Sequence, residues 1–268
     1  MYLKNLFSNI TSTDPCENFY LKKFIWFRYI FGAYITIYFL HWSYFRNDFD
    51  WLKFVQFDPV RIIFFKSIFF VITLLSLLFT IGIFRRTSAA LILGCLLMCH
   101  DYLHLIFYGV NIEYISLILF TNLFIPNEKK ENWHIPRFVY YSLKLMFISG
   151  LFLSGLNKIL ESPEWRNGTA IYGFLTDSPI YKYEFLSTYF KGNLLFLKIA
   201  NYFVLFLELT FPILINIQKL KKAAYFLFFS TFIGIGFLTI MQDIALTNSL
   251  LGLFVLLGEK GLINENKS

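Results

Sequence analysis

Long apolar runs, each closed by a short cluster of charge, divide the chain into eight stretches: Phe24 to Phe45, Ile62 to Phe84, Ser88 to Tyr108, Ile112 to Ile125, Phe138 to Asn157, Asn193 to Ile217, Ala223 to Gln242 and Ile244 to Leu257. A helix rises 1.5 Å per residue, so about 20 apolar residues cross the roughly 30 Å hydrocarbon core of a bilayer. The fourth and eighth stretches fall short of that length. The runs lack the polar face of a soluble amphipathic helix. They predict an all-α polytopic membrane bundle of about eight transmembrane helices. Met1 to Lys23 reads as a short amphipathic or irregular surface segment ending at Lys22-Lys23, with no apolar core of a cleavable signal peptide. No repeat or linker divides residues 1–268, which read as a single membrane domain.

Composition agrees with the pattern: 57% of the 268 residues are hydrophobic and 15% are charged, too few charges for a soluble domain of this size. The formal charge of +7 is scattered singly and in pairs instead of forming a stripe, so nucleic acid is not an expected partner and the lipid bilayer is. With the N-terminus cytoplasmic, the inner loops hold 13 basic residues and the outer loops 7. That asymmetry predicts both termini inside, and the segment from Lys158 to Lys191 as a long outer loop. Cys16, Cys95 and Cys99 form no disulfide framework.

Ser149 to Ile159 is a small-residue helix that ends on Lys158 and passes into Glu164-Trp165-Arg166-Asn167-Gly168-Thr169-Ala170. A lysine held where hydrocarbon meets water is placed to act as a base; the alternative is a snorkelling lysine beside a tryptophan anchor. Charges inside spans are costly and mark either function or helix register. Lys158, Asp101, Glu113 and Asp243, with His41 and His104, fall toward the outer helix ends and are expected to converge on one outward polar cavity. Trp165, Gly168, Thr169, Asn111 and His104 are the expected substrate contacts there. Arg28, Lys144 and Glu208 are the structural alternative, pairs such as Lys144 with Glu208 fixing register. No metal site is expected: His100 and His104 share a helical face near Asp101 and Glu113, but the later helices carry no histidine. Nucleophile elbows and phosphate loops are absent from the sequence.

Tyr140 to Gly173 resembles the membrane domain shared by vitamin K-dependent gamma-carboxylases and the bacterial horizontally transferred transmembrane domain proteins. Asp14-Pro15 with Phe27-Arg28-Tyr29-Ile30-Phe31-Gly32, the stretch Gly109-Val110-Asn111 to Phe124-Ile125-Pro126, and Leu207-Glu208-Leu209-Thr210-Phe211-Pro212 resemble further parts of it, in the right order. The small sporulation-delaying protein B branch is the most similar, sharing Gly155 to Lys158, Glu164 to Tyr172, Ile125-Pro126 and Trp133-His134. Length favours that branch, since a full carboxylase adds a large lumenal domain. The resemblance implies a bacterial cytoplasmic membrane protein in the maturation of a small secreted antimicrobial peptide. It also implies a quinone or vitamin K-type hydroquinone as cofactor, and Lys158 as the base that deprotonates it. Ile112 departs from the carboxylase pattern, which has a histidine beside Asn111. The alternative expectation is a non-catalytic membrane factor that binds, escorts or gives immunity to an exported peptide.

Overall fold

The computed structural model describes residues 14–45, 59–99, 110–128, 133–176, 184–238 and 242–259. Of these, 84% are helical, as an all-α fold requires. The elements are β1 (Pro15–Tyr20), α1 (Leu21–Leu40) running into a π-helical turn (His41–Phe45), α2 (Pro59–Ile81), α3 (Arg85–Met98), α4 (Val110–Asn122), β2 (His134–Pro136), α5 (Arg137–Glu161), α6 (Pro163–Asn167), α7 (Ala170–Thr176), α8 (Glu184–Lys191), α9 (Leu194–Leu214), α10 (Lys221–Leu238) and α11 (Gln242–Leu257).

Among the described residues four helices are long and apolar enough to cross a membrane: Ile63–Ile81 of α2, and α5, α9 and α10. Ile112–Asn122 and Ile244–Leu257 are shorter apolar helices, as the short fourth and eighth runs foretold. α1 carries Lys22, Lys23 and Arg28 within its 20 residues, so composition alone does not qualify it. α3 ends at Met98, and the rest of the third expected span lies outside the described residues.

The contacts gather in two compact units, within Thr11–Val139 and within Tyr140–Ser268. In the N-terminal unit α1 buries Phe24, Phe27, Phe31, Ile35 and Phe39, a stripe at helical spacing, while Trp26, Tyr29, Ile30 and Ile37 on its other faces stay exposed. A helix apolar all round is what a lipid solvent selects. Between α1 and α2 the Thr36 and Ser76 hydroxyls share a hydrogen bond of 2.9 Å, and Phe31 meets Phe79 edge to face. β1 pairs antiparallel with β2 around the fully buried Phe19 and Ile135. Residues 15–20, expected as amphipathic or irregular, are therefore a strand, because a later segment supplies the partner the local sequence cannot reveal.

The C-terminal unit packs around Phe147, Phe211 and Phe228, whose ring centroids lie 5.0 to 5.5 Å apart. Glu259, just beyond α11, accepts hydrogen bonds from Lys144 of α5 at 2.5 Å and Lys221 of α10 at 2.6 Å. Burial alone would raise the Glu259 carboxyl, but the two ammonium groups hold it below the usual carboxylate range. The expected pairing of Lys144 with Glu208 is thus replaced: Lys144 meets Glu259, and Glu208 meets Lys158. Lys144 and Lys158 are 14 residues apart on one helix, about 21 Å along its axis, so one carboxylate cannot serve both.

Candidate functional site

The end of α5 and the middle of α9 meet through a glycine. A Cβ on Gly155 would lie 3.1 Å from Glu208 Cβ and 3.1 Å from Leu209 Cγ, so α9 side chains sit against the α5 backbone where a larger residue would crowd them. That approach carries the Glu208 carboxylate to Lys158, one turn further along α5, and the two form a salt bridge between Nζ and Oε1. Glu208 is 5% exposed, and Lys158 is partly buried. Glu208 Oε2 is buried with no hydrogen-bond partner in the described structure. Pro212, four residues on, has no N–H to give the Glu208 carbonyl, which breaks the helical ladder on the same face.

Trp165 closes the pair from the other side, its ring centroid 4.6 Å from Lys158 Nζ. An ammonium over an indole face contributes about 0.5–2 kcal/mol, more as water is excluded. Trp165 is held there by apolar packing against Ala170, Val204 and Leu205, and by Phe174 at 6.0 Å. Pro163 opens α6, and Gly168 ends it at φ 80°, a left-handed value that glycine adopts without strain. A Cβ on Gly168 would also press on Tyr202 and Lys198 at 3.1 to 3.2 Å. The Thr169 hydroxyl donates to Asn167 Oδ1 at 2.6 Å, and the Thr169 carbonyl accepts from the Gly173 N–H at the head of α7.

Asn201 of α9, fully buried, locks this turn to the helix. Its amide donates to the Trp165 carbonyl at 2.9 Å, and its Oδ1 accepts from the Ile171 N–H. The Tyr202 hydroxyl donates to the Arg166 carbonyl at 3.0 Å. Neither residue stood out in the sequence. The signal available was a lone asparagine in an apolar run, which must satisfy its amide somewhere.

Residues 158–191, expected as one long loop, contain the end of α5 and the helices α6, α7 and α8. Trp165, Ala170, Leu175 and Phe190 bury enough apolar surface to order short helices that would not persist alone.

Lys158, Glu208, Trp165, Gly168 and Thr169 come together in the C-terminal unit. Glu113 belongs to the N-terminal unit, exposed in the first turn of α4. Arg28 is there too, paired with Glu128. Asp101, His100 and His104 lie outside the described residues, as do the side chains of Asn111 and Asp243. Among the described residues no three His, Cys, Asp or Glu side chains gather in a cluster that could hold a metal ion. A quinol would find one fitting feature, the unpartnered Glu208 Oε2, which can accept a hydrogen bond from a hydroxyl beside the Lys158 amine. No protein-family model matches the chain, and neither does any curated protein or solved structure.

Proposed function

We propose that this chain is an integral membrane protein that acts in the maturation of a small secreted peptide, with the Lys158 and Glu208 pair beneath Trp165 as its working centre. The observation that carries this reading is the Glu208 carboxylate, almost fully buried beside a partly exposed lysine, with the Ser154 hydroxyl near it and Oε2 without a direct hydrogen-bond partner among the described residues. Such groups are costly to keep unless something completes them. A lysine and a carboxylate in contact stay neutral overall whichever of them holds the proton. In the tautomer with a free amine and a protonated Glu208, Lys158 can accept a proton from substrate; the product is an ammonium beside a neutral carboxylic acid, and the ammonium stabilises the anion left on the substrate. A hydroquinone, implied by the resemblance of Tyr140 to Gly173 to the carboxylase-like domain, supplies an acidic hydroxyl when bound; Lys158 and Glu208 are the residues that would hold it. The basic-residue asymmetry supports an orientation with both termini inside and this centre toward the outer face, and the family resemblance implies that the membrane is a bacterial cytoplasmic one.

A second reading, a non-catalytic factor that escorts an exported peptide or confers immunity to it, is favoured by a different observation. Trp165, Gly168, Thr169 and Ala170 are all engaged in building the turn itself. Lys158→Arg separates the two. Guanidinium keeps the charge and stays protonated, so a base function falls at least 100-fold, on the order expected for loss of general-base catalysis, while an anchor keeps working. The readout is the mass spectrum of peptides in the medium of cells lacking the gene and carrying either form, with membrane levels of the protein matched. Normal peptide maturation by Lys158→Arg would sink the base role and leave the escort reading.

A further inference from the structure

The turn joining α2 to α3 in the N-terminal unit holds more positive charge than its surroundings answer, and we propose that it binds the phosphate of an anionic phospholipid headgroup. Gly82 at φ 84° and Phe84 at φ 49° reverse the chain tightly, and α3 begins at once with Arg85-Arg86. Phe84 occupies the N-cap and offers no side-chain acceptor, so the first-turn N–H groups of α3 remain donors at the positive end of its dipole.

Three guanidinium groups surround this helix start. Arg85 is consumed by the end of α4, donating to the carbonyls of Asn122, Ile125 and Pro126 at 2.7 to 2.9 Å. Arg86 gives Nε and Nη2 to the Ile125 carbonyl and keeps Nη1, on an exposed residue. Arg28 is 3% exposed and pairs with Glu128, yet its Nε is buried without a partner. The Arg28 guanidinium lies against the turn, since a Cβ on Gly82 would fall 2.2 Å from its Nη1. Among the described residues Glu128 is the single carboxylate reaching Arg28 and Arg85. Burial pushes the Arg85 guanidinium down to about 10; Glu128 opposes that fall, and Arg86 and Arg28 add to it.

A further anion would answer the unmatched charge. Phe84 is 75% exposed and adjoins the exposed Ile83 immediately before Arg85-Arg86, so apolar and aromatic surface stands next to the cations. Water-soluble phosphate has no use for that surface, whereas a lipid brings acyl chains to it and a phosphate to Arg86.

Native mass spectrometry of the full-length protein, released from mixed micelles of phosphatidylglycerol and phosphatidylcholine with identical chains, tests this. Wild type is expected to retain phosphatidylglycerol about fivefold over phosphatidylcholine, the worth of one basic contact near a membrane surface. Arg86→Gln should lose that preference, while Lys222→Gln, an exposed cation of the other unit, keeps it. Equal retention of both lipids by wild type, or equal losses in the two variants, overturns the site. Displacement of phosphatidylglycerol by millimolar inorganic phosphate overturns the lipid as its ligand. If Arg86→Gln does not accumulate, the wild-type lipid and phosphate comparisons decide alone.

Discussion

An ammonium and a carboxylate removed from water together lose their hydration but gain each other; removing one partner leaves the other buried with neither. Lys158 and Glu208 are in that position, one partly buried and the other 5% exposed. Lys158→Met should therefore cost about 3–5 kcal/mol of stability, and Glu208→Leu, which strands the lysine, a similar or somewhat smaller amount because Lys158 can reach toward water. The double variant should recover most of the loss, since two apolar side chains replace the pair. Thermal melts of the four proteins in one detergent give the coupling. Additive losses would mean that the pair is not the main interaction of either residue. At this scale the sequence announces which residues are unusual, because Lys158, Lys144 and Glu208 interrupt apolar runs. It does not announce who meets whom. Lys158 meets Glu208 because Gly155 lets α9 come close at that level, and Lys144 meets Glu259 from beyond α11. Both facts depend on depth along packed helices, which no local pattern encodes.

At Gly155 α9 side chains lie against α5, and its Cβ position is already within 3.2 Å of two Leu209 atoms and Glu208 Cβ. Gly155→Leu forces the helices apart, which should cost at least the 1–3 kcal/mol typical of overpacking and lower accumulation in the membrane. Leu153 is 52% exposed on the same helix, and Leu153→Met should stay within about 0.5 kcal/mol of wild type. Fluorescence-detected size exclusion of the two variants makes the comparison; equal tolerance would show that Gly155 faces lipid. Gly155 was readable in advance as part of a small-residue helix, and so were the central parts of α2, α5, α9 and α10, because unbroken apolar runs have one solution in a bilayer. The ends were less readable. α5 continues past Asn157 to Glu161, since Lys158 finds its carboxylate without leaving the helix. The turn after it became α6 and α7 because buried Trp165 and Asn201 organise backbone that its own propensity leaves loose.

Whether these helices cross the membrane as proposed is decided at the scale of the whole chain, and α9 gives the sharpest test. It is 21 residues of largely apolar helix, about 31 Å long at 1.5 Å per residue, so the positions on either side of it should face opposite compartments. Gly192 precedes it, exposed, and a Cβ added there meets a single atom, the Tyr189 carbonyl oxygen at 3.8 Å. Lys222, exposed near the start of α10, follows it in a connector rich in lysine, the kind of segment retained on the cytoplasmic side. In a background with Cys16, Cys95 and Cys99 changed to alanine, Gly192→Cys should react with a membrane-impermeant maleimide on intact cells, and Lys222→Cys only once the membrane is opened. The reverse pattern would invert the orientation and move Lys158 to the cytoplasmic face, which is incompatible with chemistry on a peptide after export. Labelling of both positions from outside would mean that α9 does not cross, and the Lys158 and Glu208 pair would then have to be explained as a surface contact of a helix lying along the bilayer.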